Sequence, residues 1–481
     1  MENGKSKIKT GKSLLYSSGN FAASLTGSVF STYVTFYYVD VLKMPAALIS
    51  LAMSIYGIWN AVNDPLLGQI SDRTRSRWGR RIPYLLFGSF PFALFFILVW
   101  TPPLQWLGGN TTAMFVYFIS VVFLFDFLYT LVIINWTALF PEMYKTQEER
   151  TKVSTYRQVF GIIANILGVA LPPVLYTAFG WPFMGILFGI LTLVFLYMSL
   201  AGSKEDPQAA ANEGLPLLKS LKATFSNRTF LIYVLAAMFV QFTFVMLQAA
   251  LPFYAKYVLN IEGFQVSLML GVIFIMAMLW IPFWQKRANR IGSKKAIIIS
   301  SALYAVSLLP LWFVKNYIGG IISSALIGIG LAGLMLLLDV MLSDIVDEDE
   351  LKTGARREGM YFGINGLMVR LAISFQSAIM GAVLSTSGYN AELPVNSQPE
   401  SAIIGIKMLL VVIPVISVAI AILFYLKYPL YGKRLKEVKE QIRRLHEAPA
   451  GAAPCESGPE TVHAAELKLR QEDAENAGKH L

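Results

Sequence analysis

The stretch IWNAVNDPLLGQISDRTRSRWGRRIPYLL, residues 58–86, decides how this chain is to be read. An apolar run gives way to Asp72, Arg73, Arg75, Arg77, Arg80 and Arg81, with Gly79 among them, and a second apolar run starts at Ile82. An apolar helix of about 20 residues crosses a bilayer, because hydrocarbon offers its backbone groups no partner outside the helix. A short turn dense in Lys and Arg between two such runs marks the cytoplasmic side. Residues 58–86 therefore read as the end of one span, a cytoplasmic turn and the start of the next.

The same alternation extends outward over most of the 481 residues. Spans are expected at roughly 13–40, 46–70, 82–101, 112–140, 154–178, 180–201, 229–259, 265–285, 295–315, 318–345, 358–387 and 402–428. Composition agrees, with 55% hydrophobic and 15% charged residues and a mean hydropathy of +0.56, where an ordinary soluble domain carries about 25% charged residues. Lys and Arg gather in the N-terminal segment, in the loops after even-numbered spans and in the tail, whereas the outer ends and loops of odd-numbered spans hold Lys43, Lys256 and Lys315. This pattern places both termini in the cytoplasm of a multi-pass protein of the cell (inner) membrane. The net charge of +10 then follows from topology and gives no reason to expect a nucleic-acid partner. No cleavable leader is expected, since the first span is too long for a signal core. The single cysteine, Cys455, and the histidines His446, His463 and His480 all lie near the C-terminus. The apolar body thus lacks the groups from which nucleophilic triads, thiolate metal sites and imidazole relays are built, and no enzyme is expected.

The chain echoes itself. DPLLGQISDRTRSRWGRR (64–81) matches WQKRANRIGSKKA (284–296) in character, and PEMYKTQEERTKVSTYR (141–157) matches SDIVDEDELKTGARREG (343–359). Duplicated halves suit a carrier whose two bundles rock about a central site. The expected fold is an all-α membrane protein of twelve transmembrane helices in two pseudo-symmetric six-helix bundles, 1–201 and 229–428. A cytoplasmic loop, 202–228, joins them, and a cytoplasmic tail, 429–481, follows. Topology accounts for the Lys and Arg in the repeats but not for the matched acids. Asp72, Arg77, Arg80, Glu142, Arg150, Asp344, Asp347 and Arg356 are therefore expected to form gating ion pairs that break when the cytoplasmic side opens. The basic stretch 433–444 reads as part of a solvated tail or as an attachment to anionic headgroups.

Residues 58–86, together with FYYVDV (36–41), YTLV (129–132), TALFPE (137–142) and DIVDEDELKTGARREG (344–359), resemble the glycoside–pentoside–hexuronide:cation symporters of the major facilitator superfamily. The melibiose permease is the best-known member of that family. The resemblance implies cation-coupled symport of a sugar, glycoside or hexuronide by alternating access, with Na⁺ or H⁺ as coupling ion, no cofactor, and a monomeric carrier. It places Asp64 on a span-2 acid that holds the cation, Arg157 on a span-5 arginine and Arg370 on a span-11 basic residue. Ser24 stands where the melibiose permease has a sugar-binding acid, Asn60 where it has its other span-2 acid, and Ile133 where it has its span-4 acid. A melibiose-type Na⁺ site is thus incomplete here. A lysolipid or other amphiphile carrier of the same fold and a transporter-like sensor are the alternatives.

The residues themselves support a buried polar site. A charge at the bilayer centre costs on the order of 3 kcal/mol, so Asp64, Asp126 and Asp339 are expected to face the bundle interior. Tyr56, Asn60 and Asp64 recur every four residues and share one face of span 2. Asp64 is expected to hold a hard cation with the Asn60 and Asn63 carbonyl oxygens, or to take a proton; the alternative is an ion pair with the basic loop. Asp126 and Thr130 share a face of span 4 and are candidates to accept sugar hydroxyls, or to bond a neighbouring helix. Arg157 and Arg370, in matching spans of the two halves, offer planar donor forks to solute oxygens, or pair with acids, as Arg370 with Asp339. Asn20, Gln241 and Gln248 are expected to line the same cavity, with Trp136 an aromatic face for a pyranose ring or a packing residue.

Overall fold

The computed structural model describes residues 10–107, 109–144, 146–205, 227–354 and 357–447. Arg356 and the side chains of Asp64 and Asp72 lie outside the described residues. Helix α1 (Gly19–Phe36) is entered through a short helix, Thr10–Ser17, and left through a π-helical turn, Tyr37–Val41. It is followed by α2 (Ala46–Arg73), α3 (Ile82–Trp100), α4 (Thr111–Met143), α5 (Gln147–Ala170) and α6 (Trp181–Gly202). Helix α5 bends by 42° into Pro172–Phe179. The second half comprises α7 (Arg228–Tyr257), α8 (Phe264–Ile291), α9 (Ser293–Leu308), α10 (Tyr317–Thr353), α11 (Glu358–Thr386) and α12, which runs through a π-helical turn from Glu400–Lys407 to Ile413–Leu426. A last helix, α13 (Gly432–Glu447), closes the described chain.

Among the described residues, nine helices are long and apolar enough to cross a membrane, or ten with the bent α5 taken as one span. Helices α1 and α2 complete the twelve-segment bundle. They fall short on hydropathy for a physical reason. Ser17, Ser18, Thr26, Ser28 and Thr32 of the first segment, and Asn60 and Asn63 of α2, are buried against other helices and do not face lipid. The helix starts are written locally. Asn110, Asn227 and Asn316 accept backbone N–H bonds at the starts of α4, α7 and α10, and Thr146 with Glu149 forms a capping box on α5. Gly354, at φ +69°, ends α10 in the left-handed conformation. With 33 and 37 residues, α4 and α10 outrun the spans expected from hydropathy. At about 50 Å or more they exceed a hydrocarbon core of about 30 Å, and their ends project.

Helices α1–α6 pack on one another, as do α7–α12, and the two sets meet through α1 with α7, α2 with α11 and α5 with α8. Exchanging the halves maps α2 on α11 onto α8 on α5, so the interface itself carries the repeat seen in the sequence. Helices α2 and α11 run antiparallel. At one end they touch so closely that a methyl group at Gly57 would collide with Ser374, and one at Gly381 with Ser50. Toward Arg73 and Glu358 they part: no atom lies within 4 Å of where a Cβ would stand at Gly68, Gly363 or Gly366. The interface is therefore closed at one end and open at the other. The open end carries both ends of the described chain, since Lys152 Nζ reaches Thr10 Oγ1 (3.3 Å) and α13 ties to α10 through Lys439 and Asp344 (3.0 Å).

The start of the expected solvated tail is thus a packed helix. Leu435, Val438 and Ile442 of α13 are buried on α10, while Arg434 pairs with Glu348. Amphipathic spacing made the apolar face, and the projecting acidic end of α10 gave it a partner.

Gly57→Ala or Gly381→Ala is expected to cost about 1–3 kcal/mol by overpacking the close α2–α11 contact and to lower the unfolding temperature of the purified protein. Gly68→Ala, on the open side, leaves it unchanged. Equal losses at all three positions would contradict the splayed geometry.

Candidate transport site

The polar centre of the bundle is Asp126. It lies in α4, is 1% exposed, and one of its carboxylate oxygens accepts a hydrogen bond from Asn63 Nδ2 at 3.2 Å. The other accepts from Asn60 Nδ2, which also stands 3.4 Å from the Tyr56 hydroxyl. Tyr56 and Asn60 of the expected α2 face are thus neighbours, and they meet α4 at Asp126; the Asp64 side chain lies outside the described residues. Across the interface, Arg370 Nη1 of α11 donates to the Asn60 carbonyl at 3.0 Å. One residue, Asn60, thus joins α2, α4 and α11. Asp126 belongs with the two asparagines assigned to the cation and does not stand apart as an open acceptor for a sugar.

Two oxygens here are buried without a hydrogen-bond partner, Asn60 Oδ1 and Thr130 Oγ1. Asn135 Oδ1, Ser301 Oγ, Tyr304 OH and others are likewise buried without a partner, so what distinguishes this cluster is the chemistry of its donor set. An amide's oxygen and nitrogen exchange places by a half-turn of the side chain. After that turn, Asn60 and Asn63 present carbonyl oxygens beside a carboxylate and a hydroxyl, the donor set a hard cation takes. In this structure the amide N–H groups instead donate to the carboxylate. The same residues fit either state.

Closer to the open end, Arg157 of α5 lies with its guanidinium 4.5 Å from the ring centre of Trp136 and 5.0 Å from that of Phe140. Trp136 is 1% exposed, stacks with Tyr16 (5.3 Å between centres) and donates from Nε1 to the Tyr16 carbonyl at 3.1 Å. A sugar ring can reach this indole only by displacing the arginine. Asn20 Nδ2 donates to the Arg157 carbonyl at 2.7 Å, and Asn20 and Ser24 both press against Gly161, one turn further along α5. Gln248 of α7 accepts from Ser31 and Thr32 of α1, both at 3.2 Å, and so serves the interface between the halves.

The closed end is latched by a residue the sequence reading passed over. Asp40, in the π-helical turn after α1, is fully buried. It receives Lys256 Nζ at 2.6 Å, Tyr389 OH at 2.7 Å and the Tyr257 hydroxyl, all from the other half. Its signal was present: an acid closing an apolar span, and a lysine at the matching edge of span 7. Asp339, expected inside, is instead exposed on α10, and Arg370 turns to Asn60.

At the open end the expected gating residues pair within their own halves. Glu142 takes Arg80 (2.9 Å) and Arg81 (3.0 Å), and Asp344 takes Lys439 (3.0 Å), with Asp347 beside them in the hollow between α10 and α13. Arg77 and Arg150 form no ion pair among the described residues, contrary to expectation. The first lies over Trp78 (4.0 Å) and the second donates to the Tyr144 carbonyl (2.8 Å). Glu205, unassigned from sequence, accepts the backbone N–H groups of Arg80 (2.8 Å) and Arg81 (2.9 Å) at the start of α3. It fills the space left by Gly79, whose φ is +106°.

Two bundles in contact along three helix pairs, latched at one end, parted at the other and holding buried charge between them, define a membrane carrier and not an enzyme. The chain belongs to the family described as MFS/sugar transport protein, whose pattern it matches over residues 15–432. It is 28% identical to an isoprimeverose transporter of Lactiplantibacillus pentosus, over 91% of this chain and 93% of that one. It is 24% identical to a putative glycoside/cation symporter of Escherichia coli, over 91% and 96%. It is also 23% identical to the sodium-dependent lysophosphatidylcholine symporter 1 of Mus musculus, over 94% and 91%. Among solved structures it superposes on a D-xylose–proton symporter with a TM-score of 0.66 at 17% identity, covering 88% of this chain and 98% of that one, which shows the shared fold.

Breaking one side of the Asp40 latch leaves a buried charge uncompensated. Lys256→Met is expected to destabilise the protein by about 2 kcal/mol, below the 3–5 kcal/mol of a fully buried pair because Lys256 is 23% exposed. The double variant Asp40→Asn/Lys256→Met recovers part of that loss. A chemical-denaturation cycle in which the double variant loses the sum of the singles would dismiss the latch as an energetic unit.

Proposed function

We propose that the protein is a cation-coupled symporter of a sugar, glycoside or hexuronide, driven by Na⁺ or H⁺, in the cell membrane with both termini in the cytoplasm. The observation that carries this reading is the Asp126–Asn60–Asn63 cluster and its orphaned oxygens, placed where the closed seam between α2 and α11 gives way to the open one. With the basic, terminus-bearing end in the cytoplasm, the structure is an inward-open state. The coupling ion binds at the carboxylate with the two amides turned to offer oxygen. Asp64, one turn from Asn60 toward the open end, is the second carboxylate proposed for this site. Solute enters the cavity lined by Asn20, Ser24, Arg157 and Arg370. Ion and solute together draw the open ends of α2 and α11 closed, and the Asp40 latch then releases on the far side.

The lysolipid reading is kept because of the mouse relative, which matches nearly the whole chain. Uptake of a panel of glycosides, hexuronides and lysolipids into vesicles, with and without Na⁺ and at two pH values, separates the two readings.

Asp126→Asn is expected to abolish ion-driven uphill accumulation while solute exchange persists. Asp64→Asn, assayed in parallel, reports whether the second carboxylate shares the ion. Undiminished uphill uptake in both variants would remove this cluster from coupling.

A further inference from the structure

Helix α13 does not run straight out into the cytoplasm. Its residues meet α10 in reverse order. Arg434 pairs with Glu348, Lys439 pairs with Asp344 at 3.0 Å, and Ile442 borders the hollow that Asp339 and Val340 also line. As α13 advances, its partners step back along α10. The two helices are therefore antiparallel, and the end of α13 returns toward the bilayer. Asp339 stands about 33 Å along α10 from Tyr317, at the edge of a hydrocarbon core about 30 Å thick. The residues just beyond Ile442, which are Arg443, Arg444 and Leu445, thus arrive at the depth of the headgroups.

All three of these side chains are exposed, whereas Leu435, Val438 and Ile442 are already buried on α10. Both guanidiniums lie on one oxygen, Glu440 Oε1, at 2.9 and 3.2 Å, so two cations share a carboxylate. The surface beside them is also basic. Lys294, in the turn between α8 and α9, donates to the carbonyls of Leu426 (2.9 Å) and Tyr428 (2.8 Å) and so ties that turn to the entrance of α13. Residues 282–298 contain no acid, and Arg290, Lys295, Lys427 and Lys436 are exposed around this junction. An exposed leucine beside two arginines, at the level where acyl chains end, is a composition that a membrane surface accepts on both counts. An acidic protein would use the arginines and leave the leucine in water.

We propose that α13 is a lipid-docking arm whose tip, Arg443 to Leu445, binds the phosphate groups of anionic phospholipids in the cytoplasmic leaflet. The inner face of the arm is fixed to the buried acids Asp344 and Glu348, so the docked tip braces the projecting end of α10 against the membrane. Only the cytoplasmic placing of the terminus-bearing end is carried over from the carrier reading; neither solute nor coupling ion enters. Each basic side chain at an anionic surface favours docking about fivefold, and salt screens the attraction.

The test uses the full chain carrying Cys455→Ser and Leu445→Cys, with an environment-sensitive fluorophore at position 445. The protein is placed in vesicles of phosphatidylcholine, alone or mixed with phosphatidylglycerol, whose acyl chains carry bromine near the headgroup as a quencher. Quenching is expected to rise with the share of phosphatidylglycerol and to fall at high salt. Arg443→Gln/Arg444→Gln weakens this docking about tenfold or more, whereas Arg443→Lys/Arg444→Lys keeps both charges and retains it. Quenching that is absent, or equal in neutral and anionic vesicles, overturns the inference. Displacement of the label by inorganic phosphate at matched ionic strength does so too, because it would make the tip a site for the free ion. Solute counterflow in the same vesicles reports on the carrier separately. Flux without docking strikes only the arm, and docking without flux of any solute strikes only the carrier reading.

Discussion

The contact between α2 and α11 is the constraint on which the rest of the structure depends. It is the longest meeting of the two halves, and glycines set its closeness at one end only. Without a hydrophobic drive between helices in lipid, such contacts rest on shape and on hydrogen bonds across the seam. Here both are present. Gly57 against Ser374 and Gly381 against Ser50 give the shape. Arg370 on the Asn60 carbonyl, 3.0 Å apart, gives the bond, and it falls where close packing ends. The polar centre is thus located by the geometry of the hinge. A group at that depth senses whether the helices beyond it are together or apart.

Charge is distributed to match. At the closed end, a buried carboxylate from one half is satisfied by a lysine and two tyrosines of the other. At the open end, Glu142 of α4, Glu205 just after α6 and Asp344 of α10 are satisfied from within their own halves, by Arg80 and Arg81, by backbone N–H groups at the start of α3, and by α13. A salt bridge in water is worth little, but a buried carboxylate left alone is costly. Opening the latched end therefore exposes Asp40 to water at the moment its partners leave. The open-end acids need no partner from across the gap while it is wet.

Much of this was legible in the chain. Apolar runs and capping residues marked the helices, because a bilayer imposes its rules on each segment separately. Periodicity likewise put Asn60 with Tyr56, and Asp126 with Thr130. What it could not show is that these two faces meet, since the register between α2 and α4 is a property of packing. Asp40 escaped notice because a span edge is a tolerable place for an acid, and Lys256 because topology already explained it. Glu205 carries no pattern of its own; only the positive φ of Gly79, invisible in sequence, makes room for it.

The meeting of α2 and α4 also bears on the gap in the family resemblance. The melibiose permease has an acid where this chain has Asn60, and another where it has Ile133. The structure brings Asp126, two turns from Ile133 along α4, into hydrogen-bonding contact with Asn60 itself. A carboxylate carried by α4 thus stands in the cluster although α2 has an amide at position 60, and helices packed this closely allow either backbone to place charge at that depth.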